Sequence, residues 1–96
     1  MKTKKEADRN GTAPNNYLYC KARLSEMQVG SQNYLVLKHI LHHGSITAAQ
    51  AYQKYGILAL HSRISDLRNI FLVPIHKEMK RKNGKSWGEY TIEKES

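Results

Sequence analysis

Ser62, Arg63, Ser65, Asp66, Arg68 and Asn69 fall within one stretch, ILALHSRISDLRN, that runs from Ile57 to Asn69. Their chemistry is recognition by hydrogen bonding. Arginine offers two parallel donors that fit the edge of guanine, and asparagine pairs a donor with an acceptor that fit adenine. Small residues such as Ala59 and Ser65 let a helix approach another surface closely. To act together these side chains must share a face, and the apolar residues indicate that they do. Ile57, Leu60, Ile64, Leu67 and Phe71 form one narrow stripe at helical spacing. The spacing predicts a helix over 57–70 with that stripe in a core. Ala59, Ser62, Ser65, Asp66 and Asn69 then face outward, with His61, Arg63 and Arg68 on the flanks. Such a helix suits the major groove of double-stranded DNA. A plainer reading stands beside this one. Arg63 and Asp66 are three apart, and pairing with each other would be worth about 0.2–0.5 kcal/mol and would read nothing.

A second group of cations surrounds Asn83-Gly84: Lys77, Lys80, Arg81, Lys82 and Lys85. Asn-Gly favours the two-residue type I′ turn of a β-hairpin. On one side FLVPIHKEM is extended by composition, because Pro74 excludes a helix interior and Val73, Ile75 and Met79 alternate with polar residues. On the other, SWGEYTIEK returns with Tyr90 and Ile92 pointing inward. The predicted hairpin over 77–90 would carry Lys77, Lys80, Arg81, Lys82, Asn83 and Lys85 to phosphates or into a minor groove. Exposed turns are commonly charged in any case.

Other chemistries find little support. His39 and His43 are spaced i, i+4 beside His42, a spacing that can bind a metal. The chain has one cysteine and no His-Glu-x-x-His pattern, however, so we expect no metal site. Histidines near a helix C-terminus are favourable there as partial cations. Cys20 reads as a small apolar residue rather than a reactive thiol. The serines lack a matching base and no glycine loop is built to cradle phosphate, so we expect neither an enzyme nor a cofactor. Tyr34, Tyr52 and Tyr90 fall at core positions, and Trp87, beside the basic turn, reads as partly exposed.

Sixteen Lys and Arg against eight Asp and Glu give the 96-residue chain a net charge of +8. That excess concentrates polyanions near the surface without conferring sequence specificity. The length bounds the answer to one small domain. No apolar run is long enough to span a bilayer, and MKTKKEADRNG lacks the apolar segment of a secretory signal. A cytoplasmic location, with no membrane partner, is the expectation.

The elements that must position these groups can be taken in order. Residues 1–16 mix charges with Asn, Gly, Thr and Pro, which predicts a flexible basic tail. Residues 17–30, YLYCKARLSEMQVG, fit either a strand, through Leu18, Cys20, Ala22 and Leu24, or a helix, through Cys20, Leu24 and Met27. This extension is the first candidate for oligomerisation. Residues 31–94 make the domain proper. Ser31 caps a helix over 32–43, with Tyr34, Leu37, Ile40 and Leu41 on one face, that stops at Gly44. Ser45 and Ile46 form a short extended piece, and Thr47 caps a second helix over 48–55. Gly56 then reverses the chain into the third, and a Gly-containing turn between two helices is the form of a helix-turn-helix.

Residues 44–92, about half the chain, resemble the small winged helix-turn-helix proteins of bacteriophages and other mobile elements. The resemblance rests on Ile46-Thr47, Tyr55-Gly56-Ile57, the run from Ser62 to Arg68, Pro74-Ile75 and Tyr90-Thr91-Ile92. It implies an α+β winged helix-turn-helix fold, three helices followed by a two-stranded wing. The implied function is sequence-specific binding of double-stranded DNA by a transcriptional regulator. A recombination directionality (excision) factor or a replication accessory factor remains an alternative. One module has a small footprint, so a homodimer or several copies on repeated sites would help binding. A different class of answer, an interaction module or inhibitor acting on a host protein, also stays open. RNA binding is weaker, since Trp87 is the one convincing exposed aromatic.

Overall fold

A computed structural model of the chain describes residues 14–93, with side chains from Asn16 onward. Four helices and three strands follow in the order α1 (Pro14–Ser25), α2 (Gln32–His43), β1 (Ile46–Thr47), α3 (Ala48–Tyr55), α4 (Leu60–Asn69), β2 (Ile75–Lys82) and β3 (Lys85–Ile92). The expected three helices and two strands are therefore joined by one more of each. Most of the expected tail lies outside the described residues, and its last three, 14–16, open α1.

The ambiguous segment is helical. Cys20 and, just past the helix, Met27 are buried, whereas Leu18 and Ala22, which a strand would have turned inward with Cys20, are exposed. Packing on α2 thus selects the 3.6-residue period over the alternation. The predicted helix over 32–43 forms as α2: the Ser31 hydroxyl accepts from the Tyr34 N–H at 3.2 Å, and Gly44, at φ 92°, closes it. Val36, Leu37 and Ile40 enter the core from it. The helix over 48–55 is α3, opened by a reciprocal cap. Thr47 Oγ1 accepts from the Gln50 N–H, and Gln50 Oε1 accepts from the Thr47 N–H.

The third predicted helix is shorter than its stripe suggests. Gly56 takes a left-handed φ of 71°, and the Ile57 N–H bonds back to the Ala51 carbonyl at 3.2 Å. Ile57 is buried from this turn rather than from the helix. Ala59, at φ −119° and ψ 73°, has non-helical backbone as the residue before α4, which ends at Asn69, so Phe71 packs from the loop beyond. Leu60, Ile64 and Leu67 supply the buried stripe.

The sheet runs β1-β3-β2, antiparallel throughout. β3 is central: Ile46 and Thr47 pair with Tyr90 and Glu89 on one side, and Ile75 to Lys82 pair with Ile92 to Lys85 on the other. Asn83 and Gly84 both have positive φ, 54° and 79°, as the predicted type I′ turn requires. Tyr34 and Tyr90 pack partly buried against the core, but Tyr52 is 58% exposed. Its position on the stripe of an eight-residue helix that buries only Ala51 leaves its ring in water.

Candidate nucleic-acid interface

Burial of Leu60, Ile64 and Leu67 orients α4. The opposite face carries Ser65 and Asn69, both exposed, and half-buried Ser62 and Asp66. Asn69 Nδ2 donates to Ser65 Oγ at 3.0 Å, one turn back on the same face. Ala59, expected within the helix, stands exposed just before it.

The two arginines lie on opposite flanks and have different partners. Arg63 Nη2 sits 3.3 Å from Asp66 Oδ2, the pairing foreseen from their spacing. Asn33 Nδ2 donates to the same carboxylate oxygen at 3.5 Å, which ties the outward face of α4 to the start of α2. Arg68 turns toward the hairpin instead. Its Nε and Nη2 both donate to the Ile75 carbonyl, at 3.2 and 3.0 Å. That guanidinium is engaged with the first residue of β2 and orients the wing.

Alternation divides the wing cations between two faces. Lys77 and Arg81 share the face of buried Ile75; Lys80 and Lys82 share the other with Glu78. Lys80 Nζ is 3.4 Å from Glu78 Oε1, so one tip charge has an acidic neighbour that the sequence reading overlooked. Lys77 lies over the Tyr90 ring, 5.8 Å from its centre, with its chain laid across Gly88. A Cβ at Gly88 would meet Lys77 Cε at 2.6 Å, so glycine here gives the lysine its resting place. Arg81, Lys82 and Lys85 are exposed and make no salt bridge among the described residues. Lys82 and Lys85 face each other across the turn, with Asn83 exposed between them. Trp87, 38% exposed, donates its indole N–H to Glu89 Oε2 at 3.1 Å.

Two side chains escaped the sequence reading. Leu58 projects from the turn before α4 and is 85% exposed. The stripe through Ile57, Leu60, Ile64 and Leu67 already turns Leu58 to the opposite side of a helix, but a face read as small and polar left a leucine there without a role. His39, read with His42 and His43 as a histidine near a helix C-terminus, is buried in α2, with Nδ1 2.8 Å from the Tyr55 hydroxyl and Nε2 without a hydrogen-bond partner among the described residues. Burial, then His43 and Lys54, lowers its pKa from the usual 6.5. Its place among Val36, Leu37 and Ile40 makes it part of the core. Cys20 is likewise fully buried, and burial pushes its thiol up to about 11. No group of three or more His, Cys, Asp or Glu among the described residues is placed to hold a metal ion. No described helix is long and apolar enough to cross a membrane.

The α3–turn–α4 unit, backed by α2 and followed by a hairpin clasped to α4, is a helix-turn-helix with a wing. No curated protein and no solved structure gives a significant match to the chain. Residues 31–92, from the cap of α2 to the end of β3, match the winged helix-turn-helix domain family, and the chain belongs to that family.

Proposed function

We propose that the protein binds double-stranded DNA sequence-specifically, with α4 in the major groove and the β2–β3 hairpin on the adjacent backbone or minor groove. The observation that carries this reading is the pairing of two surfaces. A small, polar outward face on α4 stands beside a hairpin tip whose Arg81, Lys82 and Lys85 have no acidic partner among the described residues. In this reading Ala59 and Ser65 permit close approach, and Ser62, Arg63, Asp66 and Asn69 meet base edges or neighbouring phosphates. Arg68 supports the geometry, while Lys77, Lys80, Arg81, Lys82, Asn83 and Lys85 contact the backbone. The net charge of +8 supplies the non-specific attraction.

The biological role we infer is regulation of transcription in a phage or mobile element, within the cytoplasm. Selection from a random duplex library, followed by salt titration of the winning sequence, tests the molecular reading. A preferred sequence whose affinity falls steeply with salt is expected. Binding that shows no preference over bulk DNA would remove it. Gel shifts on the element's promoters and attachment sites then separate a regulator from an excision factor. Co-purification with a host protein from nuclease-treated lysate would favour the interaction module instead.

A further inference from the structure

Leu58 is 85% exposed between two residues that are almost fully buried, Ile57 at 1% and, after Ala59, Leu60 at 3%. The turn that carries it is fastened on both sides. Before it, the Gly56 N–H bonds to the Tyr52 carbonyl at 2.8 Å and the Ile57 N–H to the Ala51 carbonyl at 3.2 Å. After it, the Ala59 carbonyl accepts from the N–H groups of Ser62 and Arg63, at 3.1 and 3.4 Å. Two buried anchors and these backbone bonds hold Leu58 out into water at the leading end of α4. Its nearest sequence neighbour on that surface is Ala59, small and exposed.

A leucine so exposed contributes little to the core, so its value lies in what it meets. The interface proposed above is otherwise polar, and in the major groove the one apolar group on a base edge is the 5-methyl of thymine. The other strongly exposed apolar residues near α4, Ile70 and Leu72, follow its last turn, at the far end from Leu58. Resting on the placement of α4 in the major groove, we infer that Leu58 recognises a thymine through its 5-methyl group, at the end of the site met by the N-terminus of α4.

The test uses the full chain and the duplex chosen by library selection, with each thymine replaced in turn by deoxyuridine, which removes one methyl and leaves pairing intact. At one position per bound copy the exchange is expected to weaken binding about fourfold, the effect of exposing one methyl-sized apolar surface. Leu58→Ala should bind the thymine and uracil duplexes alike and melt at the same temperature as the parent chain. Two outcomes overturn the inference while leaving DNA binding intact. Either no exchange alters affinity, or the sensitive exchange weakens Leu58→Ala as much as the parent, so that another residue reads the methyl. Failure to bind any duplex would overturn the interface and this inference together.

Discussion

Arg68 and Ile75 are joined by two hydrogen bonds from one guanidinium to one carbonyl, at 3.2 and 3.0 Å. The donor belongs to the last turn of α4 and the acceptor to the first residue of β2, so the contact fastens together the two elements proposed to face DNA. Removing the fork with Arg68→Ala is expected to cost about 1–2 kcal/mol in urea unfolding. Arg68→Lys, which has no planar fork, should recover only part of this. Duplex selection with Arg68→Ala should return the parent's base preference at lower affinity. A changed preference would put Arg68 on the bases.

Arg63 makes the contrasting case. Its pair with Asp66 is about one-third exposed on both sides and worth about 0.2–0.5 kcal/mol to the fold. Arg63→Ala should therefore scarcely alter unfolding. If the arginine leaves Asp66 to read a guanine, the same substitution lowers discrimination at one base position by about 1–3 kcal/mol. Unaltered discrimination would reduce Arg63 to half of a surface ion pair.

Lys82 and Lys85 are directly opposed across the hairpin, an arrangement that costs stability because like charges repel. Replacing either with Gln should stabilise the wing by about 0.2–1 kcal/mol in thermal unfolding. It should also weaken binding to all duplexes and lower the slope of log affinity against log salt by about one. A gain in stability with no change in that slope would take the tip off the phosphates.

His39 gives the fold a pH dependence of definite sign. Its pKa in the folded chain is below the usual 6.5, owing first to burial and then to His43 and Lys54. As pH falls below 6.5, the unfolded chain takes up a proton that the folded chain resists, so stability declines until the lower folded pKa is reached. His43, whose ring centre is 4.5 Å away, would add repulsion to a charged His39. Urea midpoints measured from pH 8 to 5 should fall more steeply for the parent than for His39→Gln. Parallel curves would exclude His39 as the source.

Cys20, with its thiol pushed up to about 11, should react with iodoacetamide in the native protein far more slowly than a free peptide thiol at pH 8. Urea should restore the ordinary rate. Rapid labelling of the folded chain would show that α1 leaves the core on that timescale.

Where local chemistry sets a boundary, the residues announce it. Ser31, Gly44, Thr47, Gly56 and Asn83-Gly84 delimit α2, α3 and the hairpin turn in the expected places. Where tertiary contact decides, they do not. Ala59 offers no side-chain cap, so the start of α4 was invisible, and Ile57 looked helical because it is buried for another reason. α1 took its period from α2, while β1 is too short to show an alternation, and the extended piece expected at Ser45 and Ile46 lies one residue further on, at Ile46–Thr47. The same division runs through the candidate site. The Arg63–Asp66 pair and the outward side of Leu58 follow from helical spacing alone; the Arg68–Ile75 clasp depends on where a strand start is placed in space.

The central position of β3 also orders assembly. β1 emerges during synthesis before α3, α4 and β2, well ahead of β3, the strand that pairs with it. Until then the helices can collapse around Leu37 and Ile64, but β1 offers an open edge. The three-stranded sheet is therefore complete only once β3, the last of the described strands, has been made.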